Sequence, residues 1–292
     1  MKAIGIAADS YCGILPEEAK RLGVMVLPMP FYFEDECFYE EVSITRTEFF
    51  EKLAAGQKVS TSQHSPEAVT SFWREGLKEY EKLLYFPLSS GLSGACDTAK
   101  VLSREEEFDG RVLVVDLGRI ATPLHRSILD ALEMIDEGLP AETIRDRLEA
   151  ARENMSIYIA VETLELLKQS GRINPATAVI GTMLNIKPVL KLGVGILEKH
   201  SISRGMKKAR KDIIALMKQE MEETFREYHD NNEIYLLAAS SADEETTRGW
   251  VEEIQAAFPG MEVLCDYLTL GVACHVGQGA LGIGCSCRPK RT

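Results

Sequence analysis

The first half of the chain alternates short apolar runs with amphipathic segments, and no other feature limits its fold as strongly. Ala3–Ala8, Val24–Phe33, Leu83–Leu88 and Arg111–Asp116 read as strands. The segments between them carry helix-start signals. Pro16-Glu17-Glu18 puts proline in a first turn, Thr45-Arg46-Thr47-Glu48 is a capping box, and Ser65-Pro66-Glu67 joins a capping serine to a first-turn proline. Strands connected through helices run parallel, so this half predicts a mostly parallel sheet flanked by helices. Loops leading from strand to helix then gather at the carboxyl ends of the strands, where open α/β sheets hold ligands.

The second half follows another pattern. Ile157–Val161 reads as a strand, Ser170-Gly171-Arg172 ends a short helix, and Asn174-Pro175 opens an apolar helix reaching Asn185. Pro188–Ser203 resembles a hairpin with Gly193 and Gly195 at its turn. A helix from Met206 to about His229, a strand Ile234–Ala239, a helix Asp243–Phe258 and a strand Met261–Thr269 complete it. Without regular strand–helix–strand repetition, this half predicts an α+β domain over 156–292, after an α/β domain over 1–155. A chain of 292 residues, 45% apolar, has enough material for two such cores.

A net charge of −12 repels a phosphate backbone, which excludes sequence-independent binding to nucleic acid. The opening strand meets Asp9 too early for a secretory leader, so a cytoplasmic location is expected. Tyr267–Cys287 carries no formal charge and is long enough to span a bilayer. Its five glycines, with His275, Gln278 and Ser286, make stable membrane insertion unfavourable. Seven scattered cysteines suit reduced thiols better than a disulfide framework, and Cys285-Ser286-Cys287 lacks the spacing of a zinc site, so no metal is expected.

Two clusters of small polar residues, Ser60-Thr61-Ser62-Gln63-His64-Ser65 and Ser89-Ser90-Gly91-Leu92-Ser93-Gly94, each precede a helical pattern. Hydroxyls and free N–H groups at helix starts suit an anion, although simple capping also explains such residues. Gly91-Leu92-Ser93-Gly94-Ala95 approaches the nucleophile elbow of serine hydrolases, with alanine at its last position. A serine-dependent acyl hydrolase using Ser93 and His275 is therefore the alternative enzymatic reading. Gly277-Gln278-Gly279-Ala280-Leu281-Gly282 has dinucleotide-loop spacing but lies too near Thr292 for the rest of that unit, and no P-loop occurs. Arg204, Lys207, Lys208, Arg210 and Lys211 form a basic face that is either a solvated helix surface or a dock for an acidic partner or phosphate.

Taken together, Ala8-Asp9-Ser10, Thr61-Ser62-Gln63-His64-Ser65-Pro66, Ser89-Ser90-Gly91-Leu92-Ser93-Gly94, Ser170-Gly171-Arg172-Ile173, Leu184-Asn185-Ile186-Lys187-Pro188 and His275-Val276-Gly277-Gln278-Gly279-Ala280-Leu281-Gly282 resemble the DegV family in order and spacing. The resemblance implies a two-domain protein holding a long-chain fatty acid between its domains, without catalysis or any cofactor beyond that ligand. It also implies a partner, a separate ATP-using fatty-acid kinase whose acyl phosphate feeds phospholipid synthesis. On the matching motifs, Thr61, Ser62, Ser93, Gly94, Arg172 and His275 would hold the head group. Arg204, Lys207 and Lys208 would lie near the phosphate or dock the partner.

Such a ligand is physically reasonable. Hydroxyl and N–H donors offset the cost of withdrawing a carboxylate from water. At about 0.8 kcal/mol per methylene, a tail of about fifteen gains on the order of 12 kcal/mol before ordering and association costs. Apolar residues in Thr177–Leu184 and Leu264–Ala273 suit a tail tunnel and suit ordinary core packing equally. The chain departs from the family at His64, at Ala95, at Gln278 and over Leu117-Gly118-Arg119-Ile120-Ala121-Thr122-Pro123, all in loops expected near the ligand.

Overall fold

The computed structural model of the chain describes residues 2–173, 185–195 and 197–290. The chain divides into two compact units, one ending at Arg152 and joined again by the chain from Pro289, the other Glu153–Arg288.

The first unit begins with β1 (Lys2–Asp9), α1 (Pro16–Leu22), β2 (Val24–Leu27), β3 (Pro30–Phe33), β4 (Glu36–Tyr39), α2 (Arg46–Ala54) and β5 (Val59–Thr61). It continues with α3 (Pro66–Gly76), β6 (Tyr80–Phe86), α4 (Ala95–Leu102), β7 (Val112–Val114), α5 (Thr122–Asp136) and α6 (Ala141–Ala150). The main sheet, β2-β1-β6-β7, is parallel throughout. Alternation assigns its two faces: Ile6, Ala8, Leu84 and Phe86 pack with Ala19, Leu124, Ile128 and Ile144 from α1, α5 and α6. Ala7, Leu83 and Tyr85 pack with Val69, Trp73, Ala99 and Leu102 from α3 and α4. Burial on both faces is why these strands read as unbroken apolar runs. Strand order reverses between β1 and β6, the kind of switch point at whose carboxyl ends open α/β sheets hold ligands.

The run Val24–Phe33, expected as one strand, is two. Pro28 and Pro30 cannot donate to a ladder, and the N–H of Met29 between them goes to Ser10 Oγ at 2.9 Å. The chain therefore leaves the main sheet after Leu27 and enters an antiparallel sheet, β4-β3-β5, whose Phe31, Phe33 and Phe38 close over Phe49 of α2.

The second unit contains β8 (Met155–Ala160), α7 (Glu165–Gln169), β9 (Ile186–Leu192), β10 (Leu197–Arg204), α8 (Met206–Glu223) and α9 (Arg226–Asp230). After them come β11 (Ile234–Ser240), α10 (Glu244–Ala257), β12 (Val263–Tyr267), α11 (Leu270–Val276) and β13 (Leu281–Cys287). Its mixed sheet runs β10-β9-β8-β13-β11-β12, with β13 antiparallel to both neighbours. One face is packed by Ala209, Ile213, Met217 and Met221 of α8 and by Trp250 and Ile254 of α10. The hairpin expected over Pro188–Ser203 is β9–β10. The helix expected from Met206 to about His229 breaks at Phe225, whose ring turns into the core while its backbone leaves helical geometry. The apolar segment opened by Asn174 and the candidate tail-lining residues Thr177–Leu184 lie outside the described residues. No helix among the described residues is long and apolar enough to cross a membrane.

Candidate functional site

In the first unit, the two small-polar clusters meet. Thr61 ends β5, paired with Phe31, so the loop Ser62–Ser65 starts at the margin of the small sheet. Ser65 caps α3 by accepting the Ala68 N–H at 3.2 Å. Ser93 and Gly94 lead into α4, and a β-carbon on Gly94 would lie 3.6 Å from Gln63 Oε1, which places the two loops side by side. Gly94 has no side chain to cap the helix, and Ser93 Oγ instead accepts the Ala95 N–H at 3.2 Å. No described acceptor takes the Ser93 hydroxyl proton.

The Ser89–Gly94 loop is held from behind. Buried Ser89 accepts the Gly91 N–H through Oγ, while its carbonyl accepts those of Leu92 and Ser93. Its own N–H donates to the carbonyl of Arg119. Ser90 Oγ donates to Asp116, which also receives Lys100 at 2.7 Å and the Gly118 N–H. Burial alone would raise the Asp116 carboxyl, but hydrogen bonds from Lys100 and Ser90 and the charge of Arg152 bring it below its ordinary value. Arg119, in a loop that departs from the family, is itself buried and donates to Ser127 Oγ and the Ala151 carbonyl. His64, another departure, is tied by Nε2 to the Pro28 carbonyl at 2.8 Å and lies parallel to the Tyr39 ring. Burial depresses its pKa, so it stands as a neutral structural donor at neutral pH.

At the carboxyl ends of β1 and β6, fully buried Asp9 accepts the N–H groups of Tyr11 and Leu88. Burial pushes its carboxyl up to about 7, while the two N–H donors pull the other way. Its motif was recognised in the sequence, but its role as a tie between strand ends was not.

In the second unit, Arg172 and His275 come together. Gly171, at φ +69°, ends α7 in the left-handed conformation that glycine adopts freely. Arg172 follows and reaches back to the Ser170 carbonyl. His275 lies in the last turn of α11, partly buried, and its pKa is lowered to about 4 by burial and then by the Arg172 guanidinium. The charge acting on this imidazole is a cation, whereas a hydrolase histidine is oriented by a carboxylate. Ser93 likewise lacks the positive φ of a strained elbow.

The glycine segment after His275 is fixed by a residue that sequence reading passed over. Ser241 Oγ donates to the Gly277 carbonyl at 2.6 Å and accepts the Ala280 N–H at 2.9 Å. Gly277 (φ +74°) abuts Leu166 of α7, and Gly279 (φ +83°) leaves room for Glu162, which is ion-paired with Lys187. The segment then enters β13 rather than a helix, so it forms no dinucleotide loop.

The basic face is partly neutralised. Lys208 pairs with Asp212 and Arg210 with Glu253, whereas Arg204 and Lys207 are exposed and make no ion pair among the described residues. Arg204 ends β10 opposite Ile186 of β9, and Gly205 after it donates across the hairpin to the Asn185 carbonyl at 2.8 Å. No cluster of three or more candidate metal ligands occurs among the described residues.

The chain resembles proteins of known structure over nearly its whole length. A DegV family protein from Thermus thermophilus, described as binding fatty acid, is 33% identical, with coverage of 98% of this chain and 99% of that one and a TM-score of 0.84. DegV of Bacillus subtilis, described as a fatty acid binding protein, is 25% identical over 98% of this chain and 100% of its own, with a TM-score of 0.83. A DegV domain-containing protein of Deinococcus radiodurans is 28% identical over 284 residues, 96% of this chain and 97% of the relative. The profile of the DegV family, a family described as uncharacterised, matches residues 3–287. The chain therefore belongs to the DegV family.

Proposed function

We propose that this protein binds a long-chain fatty acid and, without catalysing a reaction itself, presents the carboxylate to a separate fatty-acid kinase whose acyl phosphate enters phospholipid synthesis. The observation that carries the binding half is the end-to-end likeness to a fatty-acid-binding DegV protein at 33% identity. The pairing of two donor loops at Gln63 and Gly94 supports the same reading.

Thr61 and Ser93 supply hydroxyl donors to the carboxylate, Ser62 joins them by turning its hydroxyl away from the Gln63 carbonyl to which it donates in the free protein, and Gly94 lets the anion approach the start of α4 without a side chain in the way. Arg172 contributes positive charge, and His275, neutral and partly buried, is ready to gain a proton beside an added negative charge. Arg204, Lys207 and Lys208 form the face that steers the acidic partner or the phosphate. Adding the cognate kinase, ATP and the fatty-acid-loaded protein should yield acyl phosphate; no product from a loaded protein would remove the kinase half and leave the binding half standing.

A further inference from the structure

Two hydrogen-bonded limbs leave adjacent residues at the carboxyl end of β1. One begins at Asp9, whose Oδ2 accepts the Leu88 N–H at 2.5 Å, and Leu88 leads straight into the donor loop Ser89–Gly94. The other begins at Ser10, whose Oγ accepts the Met29 N–H at 2.9 Å. The carbonyl of Pro28, next to Met29, accepts from His64 Nε2 at 2.8 Å, and His64 lies in the donor loop Ser62–Ser65. The limbs meet again at their far ends, where Gln63 Oε1 lies beside Gly94. Both loops therefore hang from one fixed point, the buried end of a strand paired with β2 on one side and β6 on the other.

Ser62, Gln63 and His64 lie between the end of β5 and the cap of α3, outside any regular element. Among the described residues, His64 makes the only side-chain hydrogen bond from these three to another element, since the Ser62 hydroxyl goes to the neighbouring Gln63 carbonyl. A carbonyl only accepts, so Nε2 carries the imidazole proton, and the Tyr39 ring lies alongside at 13° to the imidazole. The His64 bond spans 36 residues and the Met29 bond 19, so local turn chemistry substitutes for neither.

Resting on the fatty-acid reading, we propose that His64 and Ser10 are positioning residues that fix the spacing between the Thr61 and Ser93 hydroxyls, and that this spacing sets the preference for a carboxylate over an uncharged head group on the same tail. Each acts through main chain and needs no contact with the ligand. Charge-assisted hydrogen bonds want donors about 2.7–2.9 Å from the oxygens and weaken steeply off line, so donors on two loops serve one carboxylate only while the loops keep their spacing. A hydroxyl head group, uncharged and satisfied by one donor, loses less when they shift.

Affinities of the full chain for oleate and for oleyl alcohol, which share a tail, test this role, and the wild type should prefer oleate. In His64→Ala and in Ser10→Ala, oleate affinity should fall about tenfold, the scale of one hydrogen bond to a charged group, while oleyl alcohol affinity stays at its wild-type value. His64→Gln, which keeps an N–H donor for the Pro28 carbonyl, should retain most of the preference that His64→Ala loses. Equal losses for both ligands in the alanine variants would show general damage to the fold, and unchanged oleate affinity would show that the loops keep their spacing without this limb. Either result overturns the positioning role, as does a His64→Gln variant no better than His64→Ala. A wild type that binds both ligands equally overturns it too, because no preference exists to be set, whereas a wild type that binds neither overturns the fatty-acid reading itself.

Discussion

Asp9 Oδ2 accepts the Leu88 N–H at 2.5 Å, tying the carboxyl end of β1 to that of β6 where the order of the parallel sheet reverses. The loop beginning at Ser89 leaves from this tie, so the position of the second donor cluster depends on a buried carboxyl one strand away.

That carboxyl has a pH signature. Its native pKa, about 7, lies above the ordinary 3.8, so its stabilising contribution is full below about pH 4 and is lost as pH rises through about 7. Asp130, raised to about 6 by burial, acts in the same sense. In Asp9→Asn, the fall in unfolding free energy from about pH 5 to about pH 8 should shrink by up to about 3 kcal/mol in denaturant titrations. An unchanged slope would show that Asp9 does not titrate in the native protein over that range.

Ligand binding should couple to the protonation of His275. Burial and Arg172 hold its pKa near about 4, and a carboxylate brought beside it opposes both effects. Imidazole resonances followed by NMR should show the pKa rising when oleate is added, and rising in the unloaded protein on Arg172→Gln. If the His275 titration is the same with and without oleate, the carboxylate lies elsewhere.

Thr61→Ala and Ser93→Ala should each weaken fatty-acid retention about tenfold or more, the scale of a hydrogen bond to a charged group. Ser93→Ala should also cost about 1 kcal/mol of stability, because the Ala95 N–H loses its cap. Neither variant should abolish an esterase activity. Covalent labelling of Ser93 by a fluorophosphonate, with turnover lost in Ser93→Ala, would instead establish the hydrolase.

Ser241→Ala leaves the Gly277 carbonyl and the Ala280 N–H without this buried partner. Each such loss costs about 1–3 kcal/mol, so a lowered melting temperature and weaker ligand retention are expected together. A lowered melting temperature with undiminished retention would separate the glycine segment from the ligand.

The first sheet was legible because burial on both faces gives continuous apolar runs and its helices begin with proline and capping boxes. The sheet β4-β3-β5 was not, since its strands are short and Val24–Phe33 carries no change of hydropathy where Pro28 breaks it. β13 escaped because alternate glycines dilute its apolar pattern, and Leu281–Cys287 shows a strand only after its neighbours are known. Thr61, Ser93 and His275 could be named from motifs, whereas Asp9, Ser241 and Asp116 act by holding main chain or another side chain from a distance along the sequence. Their partners, 79 residues away for Asp9 and 39 for Ser241, leave no local spacing to read.

Native mass spectrometry of the freshly purified protein, followed by solvent extraction of what it releases, tests the central claim most directly. The account predicts a long-chain fatty acid in stoichiometric amount, with Thr61→Ala and Ser93→Ala protein carrying less of it. A protein that emerges empty and takes up no added fatty acid would contradict the account.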